Sequence, residues 1–283
     1  MAGLEIIFLG SGCSAGVPSV PCLTRPEGPC PACRDSRLPG SRNRRLPVSL
    51  LVRHRDPAGE LATTVIDAGK SFYQASVNLF AEHRIDRIDA VLLTHSHFDA
   101  IAGMDDLRAW TLNSGRPIPV YLRESDMGVV GDMFRYLVEG TTHGGTVANL
   151  QFTPIANDGV TIAGLRFDAV EVEHGVNYTA NGYRFGDVCY ISDASRLPPA
   201  ALRMARGCRL LILDAIFKNR TTPTHLSLEQ AVEYVEEVKP KRALFVGMSH
   251  RLEHTAAERE LRQRSRELGI EMGLAHDGLQ LTL

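Results

Sequence analysis

The sequence predicts an α/β fold, mainly from the pattern of its apolar residues. Short runs rich in leucine and β-branched residues alternate with longer amphipathic stretches, which is typical of layered sheets and helices. The chain has 283 residues, of which 44% are apolar, so it can bury a large core. We expect a single domain over residues 1–283, with two similar halves that meet near 154–159.

Strands are predicted where apolar runs lie between turn-forming residues. In chain order they are Leu4–Leu9, Val48–Val52, Thr63–Ile66, Ala90–Thr94, Pro119–Leu122, Phe167–Val172, Val188–Ile191, Leu210–Leu213 and Arg242–Val246. Helices are predicted at Ser71–His83, Asp105–Asn113, Ser125–Leu137, Pro198–Arg206, Ser227–Val238 and Thr255–Leu268. The last two begin with capping-box spacing, from Ser227 to Gln230 and from Thr255 to Glu258.

Charge and composition exclude several classes of function. The net charge of −2 gives no general field that would attract nucleic acid or an anionic membrane, so a large nucleic acid is not an expected partner. No apolar run approaches the roughly 20 residues that span a bilayer, and Met1–Gly10 predicts a strand rather than an export signal. We therefore expect a cytoplasmic protein without membrane contact.

A His-x-His-x-Asp pattern, formed by His95, His97 and Asp99, directly follows a predicted strand. Imidazoles at this spacing can converge on one metal ion, and the carboxylate can reach the same pocket. The alternative is a set of polar residues on an exposed loop. His174 and Asp193 favour the metal hypothesis, because each ends a further predicted strand and precedes small residues that let the backbone turn close to a ligand.

These ordered motifs resemble those of the metallo-β-lactamase superfamily, and the resemblance covers nearly the whole chain. The motifs that carry it are Phe8-Leu9-Gly10-Ser11-Gly12, Ile66-Asp67-Ala68-Gly69, the His-x-His-x-Asp pattern, Ser192-Asp193 and Asp277-Gly278. Three further segments are similar to the cyclic phosphodiesterase of bacterial phosphonate breakdown and, more distantly, to tRNase Z. They are 103–108, 223–227 and 248–250.

The resemblance implies a four-layer αβ/βα sandwich and a catalytic divalent ion, zinc or manganese. The implied ligands are His95, His97, His174 and Asp193. A divalent ion lowers the pKa of a bound water towards about 7, so attack by metal-bound hydroxide is the expected mechanism.

Two positions depart from the superfamily pattern. Asp99 is followed by Ala100, where the family has a histidine, and Gly247 stands where a second family histidine would end a strand. Both missing histidines would serve the same second ion. We therefore expect a mononuclear site, or a second ion held weakly through Asp99, Asp193 and water.

Four further residues are candidates for catalysis or support. Asp99 is expected either to orient the attacking water and take its proton or to steer a neighbouring imidazole. His225 lies in a Thr-His-x-Ser element that the relatives use for phosphate contact or leaving-group protonation; the alternative is a surface histidine. Asp67 and Asp214 are expected to orient the imidazoles that bind metal.

A second metal is expected in the irregular segment 16–45, which contains Cys22, Cys30 and Cys33. Structural zinc sites are closed and tetrahedral, so a fourth ligand is needed. The resemblance implies that His250 completes a structural zinc site, with His254 as an alternative. The spacing from Cys22 to Cys30 is longer than the family pattern, and a loop with incidental thiols is the competing interpretation.

The expected activity is hydrolysis of a phosphodiester in a small phosphoester substrate, a cyclic nucleotide or a phosphorylated sugar. Arg45 and Arg108 are candidate phosphate-binding residues because a guanidinium matches phosphate geometry. The alternatives are a thioesterase of the glyoxalase II kind and a non-catalytic metal-stabilised binding protein. Relatives include dimers, so a homodimer is also an open possibility.

Overall fold

The fold in this computed structural model is built on two seven-stranded sheets. The structure describes residues 3–140, 145–155 and 158–283. The chain divides into two compact units by its contacts. The first unit comprises Met1–Leu9, Ser49–Phe167 and Gln280–Leu283, and the second comprises Gly10–Val48 and Asp168–Leu279. Residues 156 and 157 of the predicted midpoint at 154–159 lie outside the described residues.

The strands are β1 (Glu5–Gly10), β2 (Ser49–Arg55), β3 (Leu61–Ile66), β4 (Ala90–Leu92), β5 (Ile118–Arg123), β6 (Leu150–Ile155), β7 (Val160–Ile162), β8 (Leu165–Glu173), β9 (Thr179–Phe185), β10 (Val188–Ile191), β11 (Leu210–Asp214), β12 (Arg242–Val246), β13 (Glu271–Leu274) and β14 (Gln280–Thr282). The helices are α1 (Val20–Leu23), α2 (Pro31–Asp35), α3 (Phe72–Leu79), α4 (Phe98–Ile101), α5 (Arg108–Ser114), α6 (Met127–Met133), α7 (Arg135–Glu139), α8 (Pro199–Ala205), α9 (Leu228–Val238) and α10 (His254–Leu268). Short 3₁₀ turns at Met104–Leu107 and Glu124–Asp126 precede α5 and α6.

The first sheet has the strand order β14-β1-β2-β3-β4-β5-β6. Strands β3 to β6 are parallel, with Ile66 opposite Leu92 and Leu92 opposite Tyr121. Parallel strands bring their carboxyl ends to the same edge, so the residues after β3 and β4 become neighbours there. This register places the segment that begins at Asp67 beside Thr94.

The second sheet has the order β13-β12-β11-β10-β9-β8-β7. Strands β7 to β10 form an antiparallel meander, and β10 to β13 are parallel. The core of the second unit consists of apolar side chains from β8 to β13 and from α8, α9 and α10. A smaller aromatic cluster in the first unit joins Phe72, Phe80 and Trp110, with ring centroids 5.5–6.0 Å apart.

Every strand that the sequence predicts is present, with ends that differ by a few residues. The strands that were not predicted are β6, β7, β9, β13 and β14. Four of these five, β6, β7, β13 and β14, are edge strands, where a short strand needs no strong apolar run. β6, at one edge of the first sheet, contains Pro154, which lowers its sequence signal further.

Two helix predictions need correction. The predicted helix Ser125–Leu137 is a 3₁₀ turn followed by α6 and α7, which are separated at Phe134. The capping box at Ser227 and Gln230 is confirmed, whereas the one predicted at Thr255 is wrong. Glu253 caps α10 instead, because its carboxylate accepts hydrogen bonds from the backbone N–H groups of Thr255 and Ala256.

The segment 16–45 contains α1 and α2 and is closed at its base by a reciprocal pair of backbone hydrogen bonds. Val17 and Arg45 donate to each other's carbonyl oxygens at 2.8 and 3.0 Å. Within the described ranges, no helix is long and apolar enough to cross a membrane.

Candidate functional site

In the first unit, a hydrogen-bonded chain fixes the orientation of His95. The carboxylate of Asp67, which follows β3, accepts hydrogen bonds from the Thr94 backbone N–H and hydroxyl, each at 2.8 Å. The Thr94 oxygen lies 2.8 Å from His95 Nδ1. Since the hydroxyl proton is given to Asp67, the hydroxyl oxygen accepts from Nδ1–H. The lone pair of His95 is then at Nε2, as a metal ligand requires.

Gly69 permits the loop after β3 to pack against the His-x-His-x-Asp segment. A Cβ atom added at Gly69 would lie 1.5 Å from the carbonyl oxygen of Asp99, so no other residue fits this backbone. The Asp67-Ala68-Gly69 motif therefore supplies a carboxylate and, two residues later, the room for a close backbone approach.

The remaining predicted residues of the first unit lie on or beside α4 and α5. His97 is the exposed N-cap of α4, and its ring centroid is 4.6 Å from that of His95. Asp99 is half-buried in the first turn of α4, and Ala100 is buried. Arg108 begins α5 with an exposed side chain that donates to the Thr146 carbonyl oxygen at 3.3 Å.

In the second unit, His174 follows β8 and is held by a backbone acceptor. Its Nδ1 lies 2.7 Å from the carbonyl oxygen of Thr224. A carbonyl oxygen only accepts, so Nδ1 carries the proton and Nε2 presents its lone pair. This is the arrangement that a metal-binding imidazole needs.

His225 lies with two of the predicted ligands. Ligand atoms of His174, Asp193 and His225 all lie within 4.8 Å of one another, and we name these residues the imidazole cluster. Nδ1 of His225 lies 2.9 Å from Asp214 Oδ2 and 3.8 Å from Asp193 Oδ1. The imidazole and carboxylate donors of this cluster fit a divalent metal ion.

Asp214 supports His225 from a fully buried position at the end of β11. Burial raises the pKa of its carboxyl group, and the nearby His225 opposes that shift. Its Oδ2 also lies 3.3 Å from the backbone nitrogens of Ala194 and Leu226. Asp214 thus contacts His225, the predicted general acid, and its predicted role of orienting a metal-binding imidazole stays a prediction.

Gly247 makes room for the same carboxylate. Its φ angle is +76°, and a Cβ atom there would lie 2.3 Å from Asp214 Oδ1. A histidine at position 247 is therefore incompatible with this placement of Asp214. The departure from the family pattern that the sequence revealed at Gly247 is coupled to the Asp214–His225 pair.

The predicted zinc ligands also lie together. Ligand atoms of Cys22, Cys30, Cys33 and His250 are within 4.8 Å of one another, and we name these residues the thiol cluster. Cys30 Sγ lies 3.4 Å from His250 Nδ1. Three thiols and one imidazole match a closed tetrahedral zinc site in number and type.

Backbone groups already surround the sulfur atoms of the thiol cluster. Cys22 Sγ accepts from the Cys30 N–H at 3.4 Å, and Cys33 Sγ accepts from the Ser19 N–H at 3.3 Å. The Cys30 N–H lowers the pKa of Cys22, whereas burial raises the pKa of Cys33 to about 12. N–H groups directed at sulfur stabilise thiolates, the form that binds metal.

Arg45 has a structural role, which corrects the phosphate-binding role predicted from sequence. The side chain is fully buried, and Nη1 donates to the carbonyl oxygens of Ser249 and Leu252 at 3.0 and 2.8 Å. Nη2 donates to Asn43 Oδ1 at 3.3 Å. Burial lowers the pKa of Arg45 to about 10. The guanidinium thus ties segment 16–45 to the chain after β12.

Sequence reasoning missed Thr94 and Thr224. Thr94 stands directly before His95 in the motif, so a hydroxyl between Asp67 and the imidazole was a signal that could have been used. Thr224 acts through its backbone carbonyl oxygen, which any residue carries and no sequence pattern marks.

Comparison with known proteins identifies the family. A family model described as "Beta-lactamase superfamily domain" matches residues 63–248, more than half of the chain. The chain therefore belongs to the β-lactamase superfamily. The predicted α/β fold class and metallo-β-lactamase family are confirmed.

Solved structures agree with this assignment. The chain is similar to a crystal structure described as a new diphosphatase from the PhnP family, with 31% identity, a TM-score of 0.80 and coverage of 98% of this chain and 97% of that one. The short form of human tRNase Z has the same fold, with 16% identity, a TM-score of 0.63 and 98% coverage of both chains.

One relative is named for acyl transfer and not for phosphoester cleavage. An octanoyltransferase from Porphyromonas gingivalis is 29% identical over 248 residues, which is 87% of this chain and 46% of that protein. The chain therefore spans about half the length of the curated relative that it matches.

Proposed function

We propose that the chain is a metal-dependent hydrolase that cleaves a phosphodiester bond in a small substrate, a cyclic nucleotide or a phosphorylated sugar. The observation that carries the proposal is the hydrogen bonding of His95 and His174 through Nδ1, which makes Nε2 the nitrogen through which each ring would bind metal. The similarity to a diphosphatase supports a phosphoester as the substrate class.

In this proposal one divalent ion, zinc or manganese, is held by His95, His97, His174 and Asp193. Nitrogen and carboxylate ligands suit either metal. The ion supplies Lewis acidity and activates water at neutral pH. We propose a mononuclear centre, because Ala100 and Gly247 lack ligand atoms and Gly247 has no room for a side chain beside Asp214.

His225 is the proposed general acid. Its Nδ1 donates to the buried carboxylate of Asp214, so a second proton on Nε2 makes a cation that Asp214 stabilises. That proton can pass to the leaving oxygen of the phosphodiester. Asp99 is the proposed group that orients the attacking water, and Arg108 has an exposed guanidinium available for a phosphate oxygen.

A structural zinc ion in the thiol cluster is the second metal of the proposal. It would be held by Cys22, Cys30, Cys33 and His250, whose ligand atoms already lie within 4.8 Å. A closed set of four ligands leaves no position for substrate, so this ion would stabilise segment 16–45.

The second candidate is hydrolysis of an acyl ester or thioester, and the similarity to an octanoyltransferase favours it. The same metal centre would activate water against a carbonyl carbon instead of a phosphorus atom. A thioesterase of the glyoxalase II kind is the form of this hypothesis that the sequence raised.

The test compares both substrate classes on metal-loaded protein. Bis(4-nitrophenyl) phosphate reports phosphodiester cleavage, and an octanoyl thioester and S-lactoylglutathione report acyl cleavage. We expect phosphodiester turnover that His174→Ala abolishes and that His83→Ala, a histidine outside both clusters, leaves unchanged. Thioester turnover without phosphodiester turnover would establish the second candidate. Turnover of neither would favour the non-catalytic binding protein.

A further inference from the structure

A cleft of about 510 Å³ lies beside α10 and the edge strand β13, within the second unit. Its charged lining comprises Arg42, Arg242, Glu258, Arg262, Arg266 and Glu271, together with His276. None of these residues belongs to the thiol cluster, to the imidazole cluster or to the groups that support them. The volume falls in the range of small-molecule sites.

The positive charges of the cleft exceed the negative ones. Arg242 is paired with Glu271 at 2.9 Å, and Glu258 accepts a hydrogen bond from the Leu274 backbone N–H. The other arginines of the lining, Arg42, Arg262 and Arg266, take part in none of the ion pairs found among the described residues. Three guanidinium groups therefore face one concavity without a carboxylate partner.

The cationic groups are distributed along the cleft. Arg242 and Glu271 begin β12 and β13, whereas His276 follows the end of β13. The four residues of β13 span about 10 Å. Arg262 and Arg266 are four residues apart on α10, which places them about 6 Å apart along the same helix face.

Arg42 acts at the His276 end of the cleft. Burial lowers the pKa of His276, and the charge of Arg42 lowers it further. His276 Nδ1 lies 3.0 Å from the carbonyl oxygen of Asp277, so Nδ1–H donates to that oxygen. The neutral imidazole therefore adds no repulsion to the cations.

We propose that this cleft binds a small ligand that carries several linked phosphates, with inorganic tripolyphosphate as the simplest example. Guanidinium forks match phosphate oxygens in geometry, and several of them that line one cleft can bind neighbouring phosphates of one chain. Among the described residues, the lining contains no phenylalanine, tyrosine or tryptophan on which a base could stack. The phosphates, rather than a base, are therefore the recognised groups.

The test is calorimetric titration of tripolyphosphate into metal-loaded protein at low ionic strength. We expect Arg262→Ala/Arg266→Ala to weaken binding by at least 10-fold, since both guanidiniums are lost. The matched control is Arg264→Ala on the same helix, because Arg264 pairs with Glu267 and lines a different cleft with Lys218. The control is expected to bind within twofold of wild type, and higher salt is expected to weaken wild-type binding.

Phosphate affinity at the catalytic metal is common to wild type and both variants, so it cancels in the comparison. Phosphodiester turnover without tripolyphosphate is expected to be equal in all three proteins. Absence of wild-type binding, or an equal loss in Arg264→Ala, would overturn the proposal. So would binding of a single-stranded oligonucleotide in the cleft with no response to tripolyphosphate.

Discussion

The thiol cluster and the imidazole cluster pass the same geometric test, since each gathers its ligand atoms within 4.8 Å. They differ in what holds the ligands. Backbone N–H groups point at the sulfur atoms of the thiol cluster. In the imidazole cluster, acceptors lie at hydrogen-bond distance from Nδ1 of His174 and His225.

This difference separates a closed site from an open one. Three thiols and an imidazole complete a tetrahedral coordination shell, whereas imidazoles oriented by acceptors, beside a carboxylate, leave positions for water and substrate. Proximity of ligand atoms marks a candidate metal site, and the groups that hydrogen-bond to the ligands support a proposal for its use. The proposed structural and catalytic roles rest on that distinction.

The largest expected effects come from removing one ligand of each cluster. His174→Ala is expected to lower kcat/KM roughly 1,000-fold, or about 4 kcal/mol of transition-state stabilisation, with little change in Tm. Cys33→Ser is expected to lower the free energy of unfolding by about 3 kcal/mol and to leave kcat/KM of folded protein within a few-fold, because it removes a structural ligand.

Thermal unfolding and steady-state kinetics on the same preparations check this pair of effects. Cys13→Ser is the control for Cys33→Ser, because Cys13 is also buried but lies outside the thiol cluster. If His174→Ala unfolds as readily as Cys33→Ser, or if Cys33→Ser loses activity to the same extent, the two clusters do not have separate roles.

Gly247→Ala sharpens the description of the open site. The added Cβ would lie 2.3 Å from Asp214 Oδ1, so Asp214 must move away from His225. We expect kcat to fall roughly 100-fold, the lower end of what a general acid contributes. Gly207→Ala is the matched control, because Gly207 has a similar φ of +73° and a Cβ there meets nothing within 4 Å.

Both glycine variants are expected to lose about 1–3 kcal/mol of stability from the left-handed backbone conformation. Activity assays and thermal unfolding separate the two effects. Equal activity of Gly247→Ala and Gly207→Ala would show that the Asp214–His225 contact is not needed for catalysis.

The smallest expected effect is that of Thr94→Val. This change removes the hydroxyl between Asp67 and His95, and loss of such an orienting group weakens metal affinity by about 10-fold. Thr64→Val is the control, because the Thr64 hydroxyl is buried and has no hydrogen-bond partner among the described residues. Competition with a fluorescent chelator measures the metal affinities. Equal affinities for the two variants would contradict the orienting role of the hydrogen-bonded chain from Asp67 through Thr94 to His95.

The sequence predicted His174 and Asp193 because each follows a strand, and it predicted Cys22, Cys30 and Cys33 because three thiols lie together in segment 16–45. It predicted β12 to the residue, and it did not predict β13, whose short edge run Glu271–Leu274 is stabilised by α10. The backbone N–H groups of Met272 and Leu274 donate to the side chains of Ser265 and Glu258, which lie 7 and 16 residues earlier in the chain.

Arg45 shows why local residue type was insufficient. From sequence alone, an arginine in a basic loop is a reasonable phosphate ligand. Here tertiary structure buries Arg45, and its guanidinium donates hydrogen bonds to the carbonyl oxygens of Ser249 and Leu252. The sequence also identified the missing histidine at Gly247, but not its cause. The folded backbone adds that a side chain at position 247 would overlap Asp214.

Metal content per chain tests the central claim most directly. Plasma mass spectrometry on wild type, His174→Ala and Cys33→Ser is expected to give about two ions for wild type, with each variant losing one. The ion lost from Cys33→Ser should be zinc. Three ions in wild type would contradict the mononuclear centre, and an unchanged metal content in either variant would contradict the role assigned to its cluster.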